Sequence, residues 1–388
     1  GLAHNFAASA FAHTPQQSVS VMDYPHPWIT LDAAGVPDLS QAYAVGIGQW
    51  DKVAIDYGYR EFPANTDTGA ALTQILADSA RTGLQFITDE DARPLGGAHP
   101  HAHLWDNGPD PAAELERIMT IRAAALRRFG QNAIRSGQPL AALEDTLVPL
   151  YLLHRYQTEA AVKEIGGLDY RYAVRGAGAL APTIVASVEQ RKALQAVLQT
   201  LTPEFLTLPE SLLAQLPPRP PELERTRESF PTHTGLTFDP VAVAECAADL
   251  TLAGLFDAER AARLLEYRAR DGRNPALLGD VIDAALATTA AARAATAPAT
   301  LTTLVAQAVR IRTVEALLAL AANPQGSAPV RAVVYAKLQA MRQHGDPGSP
   351  VDQYIAHRID AYAHDPDKFL PSPPTAAPPG MPIGDAED

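Results

Sequence analysis

Three histidines alternate in HPHAHLWDNGPDP, residues 99 to 111, with Asp106, Asn107 and Asp110 close behind them. Alternate residues of an extended strand share one face, so His99, His101 and His103 have the spacing to bring imidazoles to one metal. The oxygens of Asp106, Asn107 and Asp110 are ligands of the kind that a hard cation such as Ca2+ takes. A loop whose Asp and Asn cap turns and start a helix explains the same residues, and it is the preferred reading. His154, in YLLHRYQ among Leu150, Leu153 and Gln157, is expected to be a buried structural histidine. Cys246 is the single cysteine, which excludes an internal disulfide, and its Ala-rich surroundings predict inert core. No G-x-S-x-G elbow, Gly-rich phosphate loop or cysteine pair is present.

The opening GLAHNFAASAFAHTPQQSVSVMDYP, residues 1 to 25, holds two further groups. GLAH is similar to the end of H-E-x-x-H-x-x-G-x-x-H, the zinc-binding pattern of metzincin proteases, and SVMDYP resembles their methionine-bearing turn. HNFAAS, QWDKVAIDYGY, LWDNGPDP, VPLYLLHRYQTEA and IGGLDYRYAVRG extend the likeness. From Gly1 to about Ala269 the chain resembles a family of large bacterial zinc-dependent metalloproteases with a metzincin-like catalytic domain and a long helical C-terminal region.

That resemblance implies that Gly1 is the turn glycine, His4 the third Zn2+ ligand and Met22 the floor of the site. Tyr24 inherits the role of zinc ligand or oxyanion donor, with peptide or protein as substrate. His13 and His26 flank the turn; lining a cleft and plain exposure in a loop explain them equally well. The resemblance places H-E-x-x-H immediately before Gly1. The chain alone is therefore expected neither to hold zinc tightly nor to hydrolyse peptides, because a catalytic zinc takes three protein ligands. The intact parent is expected to be periplasmic or secreted. The alternative function is a helical protein-binding or scaffold module with a degenerate protease half.

Around these residues stand 388 positions with a formal charge of -13 and no basic run, which argues against nucleic acid or an anionic membrane as partner. No stretch reaches the ~20 apolar residues of a membrane span. The fold class expected is mainly α: a C-terminal metzincin subdomain followed by a helical bundle or solenoid-like array. Residues 1–107 form the catalytic portion, where apolar spacing predicts helices over 39–57 and 69–82. Residues 108–216 form a helical domain, with Asp110-Pro111, Pro149 and Pro182 as helix starts and Gly166-Gly167 as a stop. Residues 217–238 read as a Pro-rich linker, 239–366 as a second helical region of four to six helices, and 367–388 as a disordered tail. Oligomeric state is not legible.

Overall fold

Two glycines delay the first helix, α1, which runs Gln49–Tyr59 rather than starting near Leu39. Gly46 takes φ +109, and a Cβ on Gly48 would stand 1.9 Å from the Val19 carbonyl oxygen. Tyr43, Val45 and Ile47, which mimic a helical stripe, are consequently exposed. The computed structural model describes residues 2–11, 19–173, 175, 181–270, 278–290 and 300–379. Before α1, Thr30–Leu31 (β1) and Pro37–Asp38 (β2) pair antiparallel. After it come α2, Thr68–Arg81, near the 69–82 its spacing predicts and capped by Asp67, and the short α3, Asp89–Ala92.

From Asp110 the chain is helical. The Asp110 carboxylate accepts from the Ala113 amide at 2.9 Å, and Pro111 opens α4, Pro111–Leu126. Pro149 does not open a helix but lies inside α5, Leu143–Tyr151. Its missing N–H weakens that helix, which breaks at residues 152–154 before α6, Arg155–Glu164. Gly166, at φ +65, ends α6 as expected. Residues after Pro182 form a strand first: Thr183–Ile184 (β4) pairs with Leu168–Asp169 (β3), and α7 occupies Ser187–Gln199. Then follow α8, Pro203–Leu206, and α9, Glu210–Leu213. Among the described residues the last region has six helices: α10, Pro240–Leu255, α11, Ala258–Arg270, and α12, Leu278–Thr289, then α13, Leu301–Ala322, α14, Ala328–Gln343, and α15, Pro350–His364.

Helix α13 packs on α8, α10, α12, α14 and α15, while α6 lies against α4, α7 and α10. A helix with neighbours from such distant stretches belongs to a bundle, since solenoid repeats touch only the repeats beside them. One apolar core runs from Ala112 to Tyr362, so residues 217–238 do not divide it into separate cores. Phe230 is buried in that core against Tyr151, and Arg219 pairs with Glu144 at 3.1 Å. A smaller core of Phe6, Ala7, Ile87, Ala92 and Ala102 supports the first hundred residues.

Residues 367–379 correct the expected disorder: charged side chains of the bundle bond their backbone. Residues 380–388 lie outside the described residues. Among the described residues, no helix is long and apolar enough to cross a membrane.

Candidate active site

His4 sits in an extended segment stitched to two others. The Asn5 amide donates to Met22 O at 3.0 Å, the Phe6 amide to Ile87 O at 2.8 Å, and Asn5 Nδ2 to Gln85 O at 2.9 Å. Residues 5–6, 22 and 85–87 are thereby brought together, although they are far apart in sequence. The His4 ring lies 5.2 Å from the Phe6 ring and 5.1 Å from that of Tyr24, centroid to centroid.

Both imidazole nitrogens are engaged. Nδ1 is 3.2 Å from Asp89 Oδ2, and Nε2 is 3.2 Å from the Tyr24 hydroxyl. With Asp89 as an anion, Nδ1 carries the proton, and the Nε2 lone pair accepts from the phenol. Burial opposes the Asp89 charge, but hydrogen bonds from Arg93, at 2.7 Å, and His4 outweigh it and hold the carboxyl below its ordinary value. A carboxylate behind the second nitrogen is the arrangement that orients a metal-binding histidine.

Met22 occupies a turn over residues 21–23. Its amide donates to Ser20 Oγ at 2.9 Å, and the Ser20 hydroxyl donates in turn to Asp51 Oδ1 at 2.7 Å. Asp51 is buried in the first turn of α1, where it also accepts from the Val21 amide at 2.9 Å and the Gly48 amide at 2.7 Å. One carboxylate thus ties the turn to the helix start. Trp105, at φ +61, donates its amide to Tyr24 O at 2.8 Å. A bulky residue in the left-handed region costs on the order of 1–3 kcal/mol, which the surrounding contacts must offset.

Two buried acids stand at and beside the turn. Asp23 accepts from the Ser9 amide at 2.6 Å and the Tyr24 amide at 2.7 Å, and burial pushes its pKa up to about 7. Asp106 accepts from Ser9 Oγ at 2.8 Å, and burial, aided by the Asp23 charge, raises it well above the usual carboxylate range. Lys163 reaches in from α6 and donates to Ala102 O at 2.8 Å, with burial lowering it to about 7.

The other sequence candidates are dispersed. His99 Nε2 meets Tyr170 O at 3.1 Å and His103 Nε2 meets Glu159 Oε2 at 3.1 Å, so the alternating histidines face different partners. Asn107 Nδ2 donates to His26 O at 2.8 Å, and Asp110 caps α4 and pairs with Lys192, leaving Asp106, Asn107 and Asp110 on separate tasks that lend calcium no support. Among the described residues no group of three His, Cys, Asp or Glu could hold a metal. His154 is buried edge-on to Phe205 at the α5–α6 break, and Cys246 is buried in α10, both as expected. Gly1 and His13 lie outside the described residues. A cavity of about 460 Å3 between α1 and α2, lined by Gln49, Val53, Asp56, Arg60 and Ile75, includes none of the residues around His4.

Sequence reading missed Asp89, which is 85 positions from His4. Its one available signal for Asp89 was the acidic cluster after Thr88, the pattern of a helix start. A family model described as Met-zincin matches residues 1–295, well over half of the chain. No curated protein and no solved structure matches the chain.

Proposed function

We propose, from the premise that this chain belongs to the Met-zincin family and so carries a domain of zinc-metallopeptidase type, that His4 is a zinc ligand and Tyr24 its catalytic neighbour in a peptide-hydrolysing site. The observation that carries this reading is the relay Asp89–His4–Tyr24, in which Nδ1 is anchored and Nε2 is turned to the phenol. His4 alone fits the part of one zinc ligand: with Nδ1 held by Asp89, its Nε2 is the nitrogen left for a metal. Zinc, when bound, lowers the pKa of its water towards ~7 and polarises a carbonyl.

The chain's own residues do the positioning. Asp89 fixes the tautomer and plane of His4, and the Asp51 network fixes the turn whose Met22 carbonyl holds Asn5, the residue after His4. The Nε2 lone pair serves one partner at a time. With Nε2 given to a metal ion, the Tyr24 hydroxyl would be free to donate to an oxyanion on the substrate. Met22 is assigned the floor of this site. Because one imidazole does not complete a catalytic zinc site, the remaining ligands and the general base must come from outside the described residues.

Reading the coding sequence upstream of the Gly1 codon tests the proposal. His-Glu-x-x-His-x-x running into Gly1 completes the ligand set. Any sequence lacking those two histidines and that Glu removes the hydrolase reading and leaves a helical binding protein.

A further inference from the structure

The proline-rich segment LPSPPTAAPP, residues 370–379, lies on the helical bundle through its backbone. Arg358 Nη2 donates to Leu370 O at 3.0 Å, Arg312 Nη2 to Pro373 O at 2.9 Å, and Arg155 Nη1 to Pro378 O at 3.2 Å. In the other direction, the Ser372 amide donates to Glu315 Oε2 at 2.9 Å and the Thr375 amide to Asp249 Oδ2 at 2.6 Å.

The first two carbonyls used, 370 and 373, and the two amides used, 372 and 375, are each three residues apart, the period of a polyproline II helix. Pro371, Pro373, Pro374 and Pro378 fall where no amide is required. The receiving groups are set in advance: Arg358 forks onto Glu315 at 2.6 and 2.9 Å, and Arg312 Nε bonds Asp249 at 2.9 Å. A site that bonds backbone at this period reads conformation more than side chains. Beside Pro374 a cavity of about 300 Å3, lined by Leu252, Phe256 and Ala316 among others, remains open to a bulkier apolar side chain.

We propose that this groove, formed by α6, α10, α13 and α15, is a receptor for an extended, proline-containing segment of another protein, with residues 370–379 as its resident occupant. The tail is an intramolecular competitor whose effective concentration is on the order of millimolar, so a ligand in trans must match that to displace it.

The test uses the full chain and a synthetic LPSPPTAAPP peptide, followed by hydrogen–deuterium exchange. At several millimolar peptide, exchange over 370–379 should rise on the order of tenfold while α10 and α13 stay protected. A peptide with glycine at its proline positions should do distinctly less, since it must be ordered on binding. Glu315→Gln with Asp249→Asn should speed tail exchange without peptide. No change at millimolar peptide would overturn the proposal, as would equal action of the glycine peptide. A concentration-dependent dimer dissolved by the peptide would also overturn it, because the occupant would then be the tail of a second copy.

Discussion

Asp51 and Ser20 form a hydrogen bond of 2.7 Å that joins the first turn of α1 to the turn bearing Met22. The same carboxylate receives the Val21 and Gly48 amides, so the helix start and the site share a single acceptor. Gly48 makes the approach possible, since any Cβ there would collide with Val19.

Asp51→Ala should therefore destabilise the chain by at least about 3 kcal/mol, because hydrogen bonds to a charged group contribute roughly 1.5–3 kcal/mol each and two buried donors, the Ser20 hydroxyl and the Gly48 amide, lose their partner along with the half-buried Val21 bond. Asp51→Asn keeps the volume and one oxygen and should cost about half as much. Urea denaturation of both variants reads the difference; equal loss would show that packing, not the carboxylate, holds the turn.

His4 takes its orientation from Asp89. On the proposed reading of His4, Asp89→Ala should weaken zinc binding by roughly 10–100-fold, the usual effect of removing an outer partner of a ligating histidine. Competition with a chelator measures it. Tyr24→Phe should leave zinc content unchanged and lower kcat by about 10²-fold with little change in KM, as expected for loss of one oxyanion donor.

Asp23 links stability to pH. Its folded pKa, raised from 3.8 to about 7 by burial, means that the folded chain binds more protons than the unfolded one between those values. Stability from this group is full below about pH 4 and is lost as pH rises towards 7. Lys163 has the opposite sign in a higher window: lowered from 10.5 to about 7, it favours the folded state increasingly from pH 7 to 10.5. Asp23→Asn should flatten the fall in urea midpoint between pH 4 and 7 and leave the limb above pH 7 in place.

Arg260 on α11 is fully buried, and its guanidinium donates to Val162 O at 3.1 Å, Ile165 O at 3.2 Å and Leu95 O at 2.9 Å, with Gly254 O beside them. Lys cannot reproduce that planar fork. Arg260→Lys should cost about 2–4 kcal/mol by loss of charge-assisted bonds to buried carbonyls. Thermal unfolding checks this, and a neutral result would show that water takes over the carbonyls.

Local chemistry was legible and distant chemistry was not. Asp110-Pro111 and Gly166 act as helix start and stop because a cap involves only neighbouring residues. Leu39 to Ile47 carries a helical spacing, yet Gly46 and Gly48 follow backbone demands that hydrophobic spacing does not record. The tail has too few apolar residues to fold by burial. Its order comes from Asp249, Arg312, Glu315 and Arg358, whose approach no composition announces. The proposed site divides the same way: His4, Met22 and Tyr24 stood out by resemblance to short motifs, whereas Asp89 reached His4 only through the fold.

Lys163 and Arg260 also bear on how such a protein can be inherited. Both are cations of the bundle, and both end on carbonyls of the loop between α3 and α4: Ala102 for one, Leu95 for the other. A gene fusion that moved residues 1–107 alone would part those carbonyls from the buried cations that bond them. The family model fits this dependence, since it continues through α6 and α11 to residue 295.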